Sequence, residues 1–385
     1  MILIQDAKVY TMAGKVLEKG SVLVQDGKIK EIGETITAPE GVEVIDATGK
    51  MVFPGMIDAH SHLGLWEDAI GFEGADGNEM TDPVTPHLRS IDGINPMDVT
   101  FKEAYEGGIT ATASGPGSAN VIGGQFAVIK TYGKRIDDMI MVENVAMKCA
   151  FGENPKRVYN EKKRMPMTRM GTAALLRETI LQAKRYQDRI AAADGDLAKF
   201  PPYDMKMEAM LPVLEKKIPL KAHAHRADDI FTAIRLAKEF DLKITLEHCT
   251  EGHLIADELA QEGIPVVVGP SFGHRSKYEL KNKTFDTPGV LNKAGVKVAI
   301  MTDHPVIPLE SLPMCAAMAV KAGMDEDEAL KSITIYPAEI LGIEDRIGSL
   351  EVGKDADIVI WDNHPFDLQA SVSCTIIDGK IVYRK

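Results

Sequence analysis

Two histidines, His60 and His62, stand one residue apart at the end of the apolar run PGMIDAHSH, residues 54–62. On a β-strand, positions i and i+2 share a face, so both imidazoles project together from the strand's end. A pair of that kind on one rigid element is half of a metal site, and imidazole suits Zn, Mn, Fe or Ni. An isolated pair says little, but the theme recurs. Apolar runs lead into His223-Ala224-His225, into His248, and into Asp303-His304. A lone His or Asp at a strand end is more often a satisfied structural residue; four such ends in one chain point to a shared site.

The elements that must position these residues follow from the hydrophobic pattern. Short apolar runs at 52–59, 108–113, 126–130, 145–151, 218–222, 243–247, 264–268 and 296–302 read as buried strands. Helical periodicity covers 97–106, 171–192, 204–217, 227–240, 252–262, 289–294, 310–322 and 325–332, with Asp325 as an N-cap. Strands alternating with helices predict an α/β fold, a parallel (β/α)8 TIM barrel whose chemistry lies at the C-terminal ends of its strands. A doubly wound open sheet competes, though no glycine-rich phosphate loop follows any strand. Both ends of the chain alternate apolar and polar residues between tight turns such as Asp26-Gly27 and Asp378-Gly379. They are expected to pair into one small β-sandwich, giving residues 1–52 and 344–385 as its halves and 53–343 as the barrel. The alternative is that each end adds edge strands to the central domain.

Composition narrows the partners. The 385 residues carry 44 basic and 57 acidic side chains, a net charge of −13, which disfavours nucleic acid and anionic membranes. A small-molecule substrate is the expectation. No apolar run is long enough to span a bilayer, and MILIQDAKVYTM lacks the basic start and apolar core of a cleavable leader. A cytoplasmic protein is therefore expected. The cysteines at 149, 249, 315 and 374 are scattered without CxxC spacing, so reduced thiols are the default.

The ordered set PGMIDAHSH, AHAHR, LEHCT and MTDHP, with IGSLEVGKDADIVIWD near the C-terminus, resembles the amidohydrolase superfamily. The similarity is greatest to its imidazolonepropionase-like and metal-dependent carboxypeptidase or dipeptidase branches. The resemblance implies that His60 and His62 ligate a first divalent metal, with zinc the first candidate, and His223 and His248 a second. It makes Asp303 both a ligand of the first ion and the base that takes a proton from the attacking water. A two-ion site needs a bridging anion. Lys148 in VAMKCAFGENP matches a lysine that relatives carry carboxylated, and Glu153 in the same segment is the rival bridge. The plain readings are an ion-paired Lys148 and a helix-capping Glu153. The implied activity is hydrolysis of a C–N bond in a cyclic amide, an N-acyl amino acid or a dipeptide. A deaminase with one metal on His60, His62, His223 and Asp303 is the competing enzyme, and a catalytically silent scaffold the competing non-enzyme. No position of the ligand set is missing, which speaks against the scaffold. The expected assembly is a homo-oligomer.

Other polar residues carry weaker expectations. His225 shares a face with His223 and is a candidate for substrate contact or ligand support. His274 and Arg275 follow the strand at 264–268 and are candidates for binding a substrate carboxylate or carbonyl. His304 is expected to face away from Asp303, and His87, His253 and His364 receive no role. Residues 66–82 hold Glu67, Asp68, Glu73, Asp76, Glu79 and Asp82 without Lys or Arg. This reads as a solvated acidic loop, or a lid selecting a cationic substrate. The basic insertion 153–170 either binds an anion or pairs with that loop.

Overall fold

The computed structural model describes residues 1–68 and 71–385. Both chain ends contribute to one sheet. Five strands come from the N-terminal side, β1 (Ile2–Tyr10), β2 (Val16–Gln25), β3 (Lys28–Gly33), β4 (Glu43–Asp46) and β5 (Met51–Pro54). Eight strands of a second sheet follow: β6 (Met56–Ser61), β7 (Ile109–Ser114), β8 (Ile122–Lys130), β9 (Ile140–Ala150), β10 (Leu220–Ala224), β11 (Ile244–His248), β12 (Val266–Val268) and β13 (Val298–Ile300). The chain then returns to the first sheet with β14 (Ile358–Trp361), β15 (Val372–Ile377) and β16 (Lys380–Arg384). In the first sheet the order is β16-β15-β14-β5-β1-β2-β3, with β4 beside β1. The seam between the two chain ends is the antiparallel β5–β14 pair, where Phe53 faces Val359.

The second sheet runs in chain order from β6 to β13 and nearly closes into a barrel. Its seam is sewn by side chain and loop. Thr302 donates from its N–H and its hydroxyl to Asp58 Oδ2, at 2.9 and 2.7 Å. Residues 332 and 333 bridge the same gap, accepting from Ile300 N and Ile57 N. All eight expected strands are present, but they do not all run one way. β8 lies antiparallel to both β7 and β9, so the wholly parallel arrangement is corrected to seven parallel strands and one reversed. The reason is connection length. Only 7 residues separate Ser114 from Ile122 and only 9 separate Lys130 from Ile140, too few for the crossover helix that parallel neighbours require.

Because the strands are covered on both faces, they read as unbroken apolar runs. One buried cluster joins Ile57, Ala111, Ala113, Phe126, Val128, Val267 and Ala299 from five strands of this sheet. Helices at 169–192, 205–214 and 227–240 pack outside it through Ile180, Met210 and Ile234. Asp325 caps its helix by accepting from Glu328 N. The helix at Glu153–Glu161 answers the helix-capping reading of Glu153, whereas that at Ile335–Leu341 lies outside the expected stretches; each is about two turns long and contains a proline, so its periodicity is weak. Among the described residues no helix is long and apolar enough to cross a membrane, and all four cysteines are free and buried.

Candidate metal centre

At the C-terminal ends of β6, β10, β11 and β13, six side chains gather in two groups. His60, His62 and Asp303 each offer a ligand atom within 4.8 Å of the others, and so do His223, His225 and His248. The rings of His60 and His248 lie 5.5 Å apart, so the groups adjoin. Beside them opens a cleft of about 460 Å³ lined in part by Trp66, Asn78, Ser118, Phe272 and His274.

Three imidazoles have their tautomers set by acceptors. His60 Nδ1 lies 2.7 Å from Glu247 Oε2, His62 Nδ1 2.6 Å from the Gly115 carbonyl, and His248 Nδ1 2.8 Å from the Gly269 carbonyl. A carbonyl or carboxylate only accepts, so each Nδ1 carries the proton and each Nε2 turns a lone pair inward. The His62 lone pair faces Asp303 Oδ1 at 3.2 Å, with His60 Nε2 at 3.6 Å from the same oxygen. Lone pairs opposed at that distance repel unless a proton or cation lies among them. His248 Nε2, His225 Nε2 and both ring nitrogens of His223 have no hydrogen-bond partner among the described residues. Buried polar atoms left so are rare. Donors of this type, so aimed, fit a divalent cation.

Electrostatics disfavour the charged form of four of the imidazoles. Burial, aided by Lys148 and Lys221, holds His60 well below the usual imidazole range. Burial does the same to His223 and His225, with His248 adding to it, and takes His248 down to about 4. For Asp303 burial acts upward, but the positive charge that His248, His62 and Lys148 can carry beside it outweighs burial and holds the carboxyl below its ordinary value. Lys148 is fully buried, its Nζ 3.0 Å from His60 Nε2. Desolvation lowers that ammonium to about 8. Phe126 lies under both, its ring 5.3 Å from the His60 ring and 5.4 Å from Lys148 Nζ.

The other expected residues separate. Glu153 belongs to neither group; it opens the helix 153–161 and its backbone N–H donates to Glu279. His274 lines the cleft, whereas Arg275 turns away to donate to the carbonyls of Lys281 and Lys283. His304 is buried outside both groups. The basic insertion reaches the acidic loop through a hydrogen bond from Arg164 to the Thr81 carbonyl, while Arg169 pairs with Asp229; residues 69 and 70 of that loop lie outside the described residues.

Glu247 was missed. Strict alternation would put it on the face opposite His248, but His248 has φ of 72° and Cys249 of 49°, so the strand ends in left-handed backbone. Both consecutive side chains thereby come to the His60 side. Asp303, at φ 55°, is held in the same strained region, as is common where function fixes geometry. Lys221 was also missed; its Nζ pairs with Glu247 Oε2 at 3.0 Å. The signal available was the charged residue two before His223, in a strand otherwise apolar.

Residues 51–382 match the family model described as the amidohydrolase family. The chain is 31% identical to the amidohydrolase tasK of Hapsidospora irregularis, over 94% of this chain but only 39% of that protein's length. It is 26% identical to an imidazolonepropionase of Mesorhizobium japonicum, covering 93% of this chain and 91% of the relative. The crystal structure of an amidohydrolase from Thermotoga maritima MSB8 superimposes with a TM-score of 0.97 and 48% identity, covering 100% of both chains.

Proposed function

The chain belongs to the amidohydrolase family, and from that premise we propose that it is a metal-dependent hydrolase cleaving an amide-type C–N bond of a small molecule. The observation that carries the proposal is the set of inward Nε2 lone pairs on His60, His62 and His248 against the Asp303 carboxylate. His60, His62 and Asp303 would hold one divalent ion, and His223 and His248 a second. Lys148, beside His60, would bridge. As a neutral amine its Nζ can add to carbon dioxide, forming an N–C bond and releasing a proton. The product is a carbamate whose single negative charge is shared over two oxygens.

Bound divalent ions bring the pKa of water toward neutrality and polarise a carbonyl. The protein's own residues do the rest. Asp303, ionised at neutral pH, accepts the proton of the attacking water on a carboxylate oxygen and delivers it to the departing nitrogen. Glu247 anchors His60 and, with Lys221, fixes the ring's orientation. Trp66 and Phe272 give the cleft apolar walls that exclude water around the substrate.

The test is metal content per chain of protein purified without chelator, with amine release from cyclic amides, N-acyl amino acids and dipeptides measured in parallel. Two metals in the wild type, one or fewer in Lys148→Ala and no loss in Glu153→Ala are the expected result. One metal, unchanged in both variants, would overturn the binuclear reading and favour deamination.

A further inference from the structure

A second carboxylate reaches the site from an element with no expected part in it. Glu279, in the short turn Tyr278–Leu280, has a side chain only 1% exposed, and its Oε1 lies 3.6 Å from His225 Nε2 and 3.9 Å from His223 Nε2. Both distances are too long for hydrogen bonds. They are close to the separation of donors that share a cation: at bond lengths of roughly 2.0–2.2 Å around a tetrahedral ion, donors stand about 3.3–3.6 Å apart.

The carboxylate is held there. Its Oε2 accepts from Glu153 N at 2.9 Å, and Lys277 Nζ, 2.7 Å from Oε1, is also bound to Asn154 Oδ1 at 3.1 Å. Room for it depends on Gly152, at φ +82°, where a Cβ would stand 2.6 Å from Glu279 Oε2 and 3.0 Å from Asp229 Oδ2. Burying an ionised carboxylate costs several kcal/mol unless it is paired. Lys277 Nζ comes within ion-pair distance of Oε1, yet that buried oxygen accepts no hydrogen bond among the described residues. Imidazole ligates as a neutral donor, so His223, His225 and His248 bring donors but no charge to offset a divalent ion.

We propose that Glu279 is the anionic donor for an ion held by His223, His225 and His248, so that this half of the site is a set of three imidazoles and one carboxylate. The inference rests on the metal-dependent reading above and assigns His225 as a ligand, not a substrate contact. A four-donor set of this kind holds its ion without help from a bridge.

The test is dialysis of cobalt-loaded protein followed by cobalt content per chain and the visible spectrum, which reports coordination, in the wild type and in Glu279→Gln, Glu279→Asp, Lys277→Met and Lys148→Ala. Glu279→Gln is expected to lose one cobalt, with affinity reduced by more than the roughly 10–100-fold typical of losing a mere support of a ligand. Glu279→Asp retains more, Lys277→Met keeps both ions, and Lys148→Ala keeps the ion of this half with its spectrum. If Glu279→Gln fails to fold, His225→Asn reads the same ion and must also lose it. Two cobalts with an unaltered spectrum in Glu279→Gln, or in His225→Asn, would overturn the inference while leaving the hydrolase reading standing. A wild type that binds no cobalt would overturn both.

Discussion

Lys130 and Lys148 are buried amines on neighbouring strands, and their surroundings are opposite. Lys130, the last residue of β8, lies among carboxylates: Asp357 at 2.6 Å, Asp378 at 3.1 Å and Asp355 at 3.4 Å. Burial acts to lower its pKa, but the carboxylates outweigh it and hold the ammonium above the ordinary value. Lys148, on β9, faces a histidine lone pair and has been brought down to about 8. The strand direction accounts for the contrast. Since β8 is reversed, its C-terminal end lies away from the site and toward the terminal sheet, where Asp355 and Asp357 precede β14. A compensated charge joins two sheets, whereas the amine at the site end of the barrel has no carboxylate within ion-pair distance among the described residues.

The comparison is sharpest in a pair of substitutions to methionine, which keeps most of the volume and removes the amine. Lys148→Met is expected to lose metal and to lower kcat/KM by at least about 10³-fold, since metal-ion catalysis supplies several kcal/mol. With both proteins stripped of metal, its urea midpoint should hold or rise relative to wild type, because a costly buried amine has gone. Lys130→Met should do the reverse. It strands Asp357 without its cation, at about 3–5 kcal/mol of folding free energy, while the metal content of folded protein stays at the wild-type level. Equal destabilisation by both substitutions with activity retained in Lys148→Met would erase the distinction.

Glu247→Gln tests the support of the site in isolation. The amide keeps an acceptor for His60 Nδ1 but gives up the charge that Lys221 pairs with, so metal affinity should fall roughly 10–100-fold. Metal titration checks it, and an unchanged affinity would mean that Glu247 serves the strand and not the ligand.

How much of this was open to sequence reasoning depends on which physical rule governs each residue. The eight strands and their order follow from apolar runs, and period-two alternation correctly grouped His60 with His62 and His223 with His225. Alternation fails where the backbone leaves the extended region, which is why Glu247 was not found beside His248. Glu279 lay beyond reach for another reason. It comes from an irregular turn whose path is set by Lys283, which donates to the carbonyls of Phe272, Gly273 and His274, and no local pattern encodes such a long-range brace. The reversal of β8 is readable in the short connections on either side, which are shorter than the crossover that parallel strands need.

The charged seam at Lys130 also has a pH signature. Its folded pKa is raised above 10.5, so its contribution to stability is fully present below 10.5 and is lost as pH rises through the folded value. The stability difference between wild type and Lys130→Met, from urea unfolding at a series of pH values, should be constant from neutrality to about 10.5 and shrink above it. A difference that persists at higher pH would mean that packing, not charge, holds the seam.

The smallest effect is expected where the sequence suggested a substrate contact. Arg275 Nε and Nη2 donate to the carbonyls of Lys281 and Lys283 at 2.9 and 2.8 Å, and the side chain does not line the cleft. Its charge is solvated and its hydrogen bonds brace a surface loop. Arg275→Ala should therefore shift stability by no more than about 0.5 kcal/mol, as exposed substitutions generally do, and leave KM for an anionic substrate within about twofold. Lys277→Met is the informative companion, since Lys277 does line the cleft. Removing its charge should raise KM more than Arg275→Ala does, because an ammonium at the wall attracts a substrate anion that a guanidinium spent on loop carbonyls does not reach. A larger KM change in Arg275→Ala would mean that the loop rearranges to bring the arginine into the cleft when substrate binds.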